Sequence, residues 1–518
     1  MEIIMSTIYQ LLKTATQTVP EKSYVITGGI TYSYQKFLTN VNRLSEGLKE
    51  LGVQKGDHIA LFLPNGIDFL YTMFALGRIG AIFVSINTAL KGDELAYVVG
   101  HSEAKILVTD ASLYNVVKKM GSSEHLKKVV CAGEAVDGEV VPLSDLFLDR
   151  EGEDGQVSGQ DLASIMYTSG TTGKPKGVLL TNEAYVFTAN AYTTHAGWNS
   201  QDNIICMLPL FHINAQVYST LATLVAQGTM LLLENFSASA FWDQVREHKI
   251  TVFIAMPTVA LILYNEKESP SDTDNPVRQV ITALPPAIYE KFEKRFGLDI
   301  MMGYSLTENM LPLFNPLDHN QRKITSIGKP IADGFRVKIF DGDDNEMPTD
   351  EPGEIVIQSP AIMKGYFKNP EETAKAMKSG WLHTGDFGRI DADGFVYFVD
   401  RKKDIVRRGG ENIPSMEVEA VLNAHPKVAL SAVIPVPDPI YEEEVKAYII
   451  VNDKSLTMEE IAEHADASLA FYKRPRYYEF RDDLPKTPTM RVQKNVLKAE
   501  KEDLISGTYD TGKKKKKK

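Results

Sequence analysis

Hydroxyls, glycines and lysines crowd one short stretch, Tyr167-Thr168-Ser169-Gly170-Thr171-Thr172-Gly173-Lys174-Pro175-Lys176-Gly177. Glycines let a loop take positive φ angles and turn its amides inward, while hydroxyls donate hydrogen bonds and lysine brings charge. That combination suits a polyphosphate. The spacing differs from the common phosphate loop, which needs Gly, four residues, then Gly-Lys-Ser/Thr; here Pro175 follows Gly173-Lys174. A plain surface turn is the competing reading, and the Lys174-Pro175-Lys176-Gly177 run beside the hydroxyls argues against it.

Three further stretches carry usable chemistry. Gly303-Tyr304-Ser305-Leu306-Thr307-Glu308 sets a carboxylate beside a hydroxyl at a strand end. Such a pair can hold Mg²⁺ on phosphate oxygens, because hard cations take oxygen ligands; a salt-bridged loop glutamate is the alternative. The chain lacks Gly-x-Ser-x-Gly, so Ser305 is a poor hydrolase nucleophile. In Trp381-Leu382-His383-Thr384-Gly385-Asp386, the aspartate can accept bonds from both ribose hydroxyls, and Arg401 can reach the same sugar or a phosphate. A hairpin with an Asp–Arg surface pair would use the same residues. Gly409-Gly410-Glu411-Asn412-Ile413 follows a charged run, Asp400-Arg401-Lys402-Lys403-Asp404.

These groups need a scaffold. Leu162 to Tyr167 reads as a buried strand ahead of the glycine-rich stretch. Before it, helix signals at 34–51 and 68–77 alternate with apolar runs at 58–63, 81–86, 106–109 and 129–131. That rhythm predicts a parallel sheet covered on both faces. It continues through strands at 204–208, 229–233, 251–255 and 280–283, with helices at 240–248 and 288–296. The apolar stretch 207–233 reads as an interior helix followed by a strand. From about residue 325, short strands between Asp/Gly turns predict an antiparallel, barrel-like subdomain, and a small α+β unit follows Asp400. The fold class expected is α/β: a large N-terminal domain, residues 1–400, then a C-terminal domain, 401–505, and a lysine-rich tail, 506–518.

The motifs, in this order and spacing from Tyr32 to about Leu497, resemble the AMP-forming, adenylate-forming enzymes, which include acyl-CoA synthetases, luciferases and peptide-synthetase adenylation domains. Pro209-Leu210-Phe211-His212-Ile213-Asn214 and Phe241-Trp242-Asp243-Gln244-Val245-Arg246 resemble the crotonobetaine/carnitine–CoA ligase-like group most. The resemblance implies a ligase that joins a small or medium carboxylic acid to AMP and then to coenzyme A, using ATP and Mg²⁺. By it, Thr168, Ser169, Gly170, Thr171, Thr172 and Lys176 hold the β- and γ-phosphates, Thr307 the α-phosphate region and Glu308 the metal. Ala283, Leu284, Met302, Gly303 and Tyr304 frame adenine, and Asp386 and Arg401 take the ribose. His212 stands at the acyl pocket entrance, with a satisfied core histidine as its alternative. Lys403 falls at the hinge of a mobile C-terminal domain, whose Gly409-Gly410 loop approaches the pantetheine arm. One departure stands out: after Leu484-Pro485-Lys486-Thr487-Pro488-Thr489, the family's Gly-Lys is Met490-Arg491. Arg491 keeps the charge of the adenylation lysine with a different shape and hydration, and Lys494 is the other candidate. Two rival readings stand beside the ligase: an adenylating protein that hands its acyl group to a carrier protein or to no acceptor, and a weakly catalytic nucleotide-binding or regulatory relative, the second resting on Arg491.

Bulk properties narrow the classes. The 518 residues exceed a single core. Formal charge is −12, and setting aside Lys513 to Lys518 leaves 50 basic against 68 acidic residues, −18. An acidic body argues against nucleic acid as partner. The two cysteines, Cys131 and Cys206, are far apart, which predicts no disulfide framework or zinc site and suits the cytoplasm. No apolar run approaches the roughly 20 residues of a membrane span, and residues 1–5 have no signal-peptide pattern. A homo-oligomer is compatible with all of this.

Overall fold

The computed structural model describes residues 7–121, 123–133, 140–150, 152–168, 174–401, 403–486, 492–501 and 503–512. The chain forms two compact units, residues 1–337 with 357–382, and residues 338–356 with 383–518.

The first unit contains an eight-stranded sheet in the order Gly365–Tyr366, Lys176–Thr181, Leu162–Thr168, Ile82–Ser85, His58–Phe62, Ile106–Asp110, Lys128–Ala132 and Val141–Pro142. From Leu162–Thr168 to Val141–Pro142 the pairings are parallel; the two strands on the other side are antiparallel. The parallel strands are apolar without a break because both faces are covered. Along His58–Phe62, Ile59 and Leu61 enter one core, with Phe37, Val41 and Phe74 from two helices, Tyr34–Glu50 and Ile67–Ile79. The alternate residues Ala60 and Phe62 enter a second core with Leu95, Val98 and Val99 of the helix Gly92–His101. That two-residue alternation is the strand period dividing one sequence between two cores.

A seven-stranded sheet runs Asp299–Met301, Gln279–Ile281, Val252–Ile254, Asn203–Cys206, Thr229–Leu232, Ser23–Thr27, Ile30–Ser33. All of its pairings are parallel except the last. The strand–helix rhythm therefore folds as expected, with two refinements. Residues 176–181 form a strand antiparallel to Leu162–Thr168, so the phosphate-loop stretch joins a hairpin before the helix Asn182–His195 begins. Within 207–233, the helix opens as a π-helix over Ala215–Leu221 before a short α-helical turn, Ala222–Ala226. The Thr220 hydroxyl donates to the Ala215 carbonyl, five residues back, at 2.9 Å. Widened turns of this kind are frequent at functional sites.

Gly303–Leu306, Asn309–Phe314 and Lys329–Pro330 make a small antiparallel sheet. In the second unit, Trp381–Ile390 and Val396–Arg401 are antiparallel neighbours, and Asp400 and Arg401 close the latter strand. A six-stranded sheet built on Val428–Asp438 and Glu442–Val451 follows, covered by the helices Ser415–Asn423 and Met458–Ser468. The antiparallel texture expected from about residue 325 and the small α+β unit expected after Asp400 are both present. Among the described residues, no helix is long and apolar enough to cross a membrane.

Candidate active site

The hairpin presents its two strand ends side by side: Thr168 pairs with Lys176 and Tyr167 with Gly177. Ser169, Gly170, Thr171 and Thr172 lie outside the described residues. Gly177 is required by packing, since a Cβ there would stand 2.7 Å from Ile165 Cγ2 and 3.3 Å from Tyr167 Cζ. Lys176 Nζ is 2.5 Å from Glu372 Oε2 and sits 4.8 Å from the centroid of the Tyr366 ring. The Lys176 and Lys375 ammonium groups draw the Glu372 carboxyl down to about 2. Lys176 is thus held at the strand base with its charge locally balanced.

Gly303–Leu306 and Asn309–Phe314 pair at Leu306–Asn309, which makes Thr307 and Glu308 the two residues of a hairpin turn. Buried Asn309 accepts a hydrogen bond from Ser359 Oγ at 2.9 Å, and the Met363 N–H donates to the Glu308 carbonyl at 2.9 Å. The turn is fixed from outside. The Tyr366 hydroxyl donates to Glu308 Oε1 at 3.0 Å. One tyrosine therefore spans the two charged groups, its face toward Lys176 and its hydroxyl on Glu308. Ser305 shares a hydrogen bond with the Tyr218 hydroxyl at 2.9 Å.

Of the residues expected around adenine, Met302 and Tyr304 are buried, Gly303 is partly buried and Ala283 is exposed at the end of the strand Gln279–Ile281. Gly303 packs against Phe314, where a Cβ would lie 2.4 Å from Cε1. His212 and Asn214 lead into the π-helix, and His212 Nε2 and Asn214 Oδ1 are buried without a hydrogen-bond partner. Among the described residues, no protein group satisfies His212 Nε2. Behind them Gln216 is fully engaged: its amide donates to Ser85 Oγ (2.9 Å) and the Leu210 carbonyl (2.7 Å), and its oxygen accepts from Tyr185 (2.7 Å).

Although part of the His212 ring is accessible, burial around Nε2 pushes its pKa from 6.5 down to about 4. His212 is neutral at neutral pH. As pH falls below 6.5, the unfolded chain takes up this proton first, so the contribution to stability is present above 6.5 and is lost on the way to about 4. Between pH 7 and 4.5 the wild type is expected to lose about 2–3 kcal/mol more than His212→Gln. Urea melts of both proteins at the two pH values read this difference.

In the second unit, Asp386 is 2% exposed and pairs in register with Arg401, whose Nε lies 3.2 Å from Asp386 Oδ1. The Thr384 hydroxyl donates to the Ile355 carbonyl at 2.7 Å and accepts from the Asp386 N–H at 3.1 Å, and the Gly385 N–H donates to Glu354 at 3.0 Å. These bonds fix the Thr-Gly-Asp turn. Asp400 has a different task. Its Oδ2 accepts from the Ser415 hydroxyl (2.7 Å) and the Ser415 and Met416 N–H groups, capping the first turn of Ser415–Asn423. Lys403 is exposed and its carbonyl accepts from Lys498 Nζ at 2.6 Å. Gly409 and Gly410, at φ 59° and 88°, form the two-residue turn between Val406–Arg408 and Glu411–Ile413. Two successive positive φ angles explain why both are glycine. Arg491 lies outside the described residues. Lys494 is committed within the second unit, 2.7 Å from Glu419 Oε1 and 2.6 Å from Ser415 Oγ.

Tyr366, Glu372 and Asp400 were not singled out as site residues from sequence. Tyr366 is 58 residues from Glu308 and Glu372 is 196 from Lys176. The pairing of Gly365–Tyr366 onto Lys176–Thr181, with the Met363 N–H bond to the Glu308 carbonyl, brings them together. The local signal was an N-capped, proline-started helix, Asn369 with Pro370–Ala376, just after an apolar Gly-Tyr-Phe.

Residues 12–367 match the AMP-binding enzyme family, and residues 417–491 match the AMP-binding enzyme C-terminal domain. A crotonobetaine/carnitine–CoA ligase of Salmonella paratyphi A is 34% identical over 481 residues, covering 90% of this chain and 93% of that protein. Among solved structures, the anthranilate CoA ligase AuaEII in complex with anthranoyl-AMP superposes with a TM-score of 0.88 at 26% identity, covering 96% of this chain and 97% of that one. ATP-bound MatB from Rhodopseudomonas palustris gives 0.86 at 28% identity, with 97% and 100% covered. The chain belongs to the AMP-binding enzyme family and is an ATP-dependent, AMP-forming ligase that converts a carboxylic acid to its acyl-AMP and then to its coenzyme A thioester.

Proposed function

We propose that Lys176, Thr168 and the residues 169–172 hold the β- and γ-phosphates of ATP, that Thr307 meets the α-phosphate, and that Glu308 carries Mg²⁺. The observation that supports this assignment is Tyr366, which braces a lysine and a carboxylate from two separate hairpins. Magnesium fits the donors present. It keeps water and phosphate ligands and needs only one or two protein carboxylates, and among the described residues no cluster of three or more His, Cys, Asp or Glu would hold it by itself. When bound, the ion would neutralise charge on the phosphate oxygens. Lys176 would exchange Glu372 for phosphate as ATP arrives, at little cost in charge because one anion replaces another.

Met302, Gly303, Tyr304 and Ala283 frame adenine in this reading, and Asp386 with Arg401 holds the ribose. Arg491 supplies the cation that steadies the attacking carboxylate and the α-phosphate, since Lys494 is held by Glu419 and Ser415. The reaction is then mostly positioning and charge neutralisation. After adenylation, residues 401–505 pivot at Lys403, withdraw Arg491 and bring Gly409-Gly410 to the pantetheine arm, a gating step of the kind that often limits turnover. The chain works in the cytoplasm, consistent with two cysteines, Cys131 and Cys206, both buried, and a homo-oligomer is compatible with the fold.

The acid carries a hydrogen-bonding group besides its carboxylate. His212 Nε2 and Asn214 Oδ1 support this, being buried and unpaired in the protein alone; an unfunctionalised alkyl acid would leave both unsatisfied. A panel of crotonobetaine, carnitine, anthranilate, o-succinylbenzoate, benzoate and butyrate, assayed for CoA-dependent AMP release, tests the reading. A polar acid is expected to exceed butyrate by more than tenfold in kcat/KM. Butyrate turned over equally well would refute the polar-acid assignment, and acid-dependent ATP–pyrophosphate exchange without CoA-dependent release would point to a carrier-protein acceptor.

A further inference from the structure

Beneath the phosphate hairpin, the helix Gly92–His101 presents two faces. Leu95, Val98 and Val99 enter the core. Tyr97 and His101, one turn apart on another face, meet the hairpin. The His101 ring stacks on Tyr97 at 5.2 Å with 27° between planes, and His101 Nδ1 is 2.7 Å from the Tyr167 hydroxyl. Tyr167 is the last residue but one of its strand, beside Thr168. On the other limb, the Tyr97 hydroxyl donates to the Pro175 carbonyl at 3.3 Å, and Lys174 Nζ lies 5.2 Å from the centroid of the Tyr97 ring. Phe367 closes the cluster, its ring 5.8 Å from His101 and its N–H donating to the Gly177 carbonyl at 2.7 Å.

One helix face thus grips both limbs of the hairpin, the outgoing strand through His101 and the returning one through Tyr97. We infer that Tyr97 and His101 are positioning residues for the phosphate site, setting the separation and twist of the strand ends at Thr168 and Lys176 without touching nucleotide themselves. Burial first, then the nearby Lys368 and Lys174 charges, lower the His101 pKa against the opposing Glu103 carboxylate and so favour the neutral imidazole, which shares a hydrogen bond with the Tyr167 hydroxyl at Nδ1. Neither residue belongs to a motif singled out by sequence, and only the tertiary contact gives them this task.

The inference rests on the reading that Thr168 and Lys176 bind the outer phosphates, so the test separates the two. Calorimetric titration with MgATP and, separately, AMP needs no knowledge of the acid. His101→Leu and Tyr97→Ala are each expected to weaken ATP about tenfold and leave AMP unchanged, because AMP lacks the outer phosphates. His101→Asn, whose amide can hydrogen-bond the Tyr167 hydroxyl as donor or acceptor, is expected to restore most of the loss. Tyr167→Phe should match His101→Leu, and the double variant should lose no more than either single one. Thermal melts accompany each variant, and Tyr167→Phe serves where the larger truncations do not fold. Equal weakening of ATP and AMP, or unchanged ATP affinity in a folded His101→Leu, overturns the positioning role. If Lys176→Ala and Thr168→Val also leave the ATP-to-AMP preference unchanged, the phosphate assignment itself falls; if they abolish it while the Tyr97 and His101 variants do not, only the positioning role falls.

Discussion

Asp386→Asn is expected to weaken ATP and AMP alike by about a hundredfold, because both nucleotides carry the ribose that this carboxylate would hold. Asp386 is buried against Arg401, and its turn is fixed by Thr384 and Glu354, so the side chain is presented in one orientation. Hydrogen bonds to a charged acceptor are worth about 1.5–3 kcal/mol each. Losing the charge from two of them, with one weaker bond to the amide oxygen retained, amounts to about 2.7 kcal/mol, or a hundredfold. The fold should tolerate the change, since the amide is isosteric. Arg401→Met is a different experiment. It takes away the guanidinium that lies 3.2 Å from a buried carboxylate, which is expected to cost about 1–3 kcal/mol, because the arginine side chain is 28% exposed. Calorimetry with both nucleotides and urea melts separate the two variants. A folded Asp386→Asn that binds AMP like the wild type would remove the ribose role.

Glu308→Gln is expected to lower ATP–pyrophosphate exchange by about 10²–10³-fold, while AMP binding and thermal stability stay close to wild type. The stability expectation follows from Tyr366: its hydroxyl can donate to a glutamine Oε1 as it does to the carboxylate at 3.0 Å, and the turn is also held by Ser359 and Met363. The activity expectation follows from charge. An amide is a poor ligand for a hard dication, and preorganised electrostatic stabilisation of charge developing at a phosphorus centre, here in adenylyl transfer, is worth several kcal/mol. The residual exchange should require more Mg²⁺, so a magnesium titration gives a second readout. Unchanged exchange at limiting magnesium would reassign the metal to another carboxylate.

The fold was legible because its signals are periodic and local. The strand runs at 58–62 and 106–110, and the helices at 34–50 and 67–79, fall close to where apolar spacing and glycine stops put them. The π-helix at Ala215–Leu221 was not, since a widened turn and an ordinary one share the same apolar residues. The hairpin at 162–181 was half legible: the glycine-rich stretch was evident, yet the strand that follows it takes its direction from pairing, which composition does not encode. Asp400 illustrates a role that local reading misassigns. It reads as a charged break, and it caps a helix that starts at Ser415.

By itself the sequence determined the chemistry available: a hydroxyl-rich loop with lysines, a Thr-Glu pair, a Thr-Gly-Asp turn, two adjacent glycines and an arginine at position 491. These are contiguous motifs, and a contiguous motif carries its own spacing. Only the tertiary structure decided which groups brace one another. Tyr366 reaches Glu308 and Lys176, Glu372 neutralises Lys176, and Tyr97 with His101 grips the hairpin, across separations that no local pattern records. The physical reason is that motif residues are constrained by the ligand they would hold, whereas their supports are constrained only by proximity, and proximity between distant segments is set by sheet order and register.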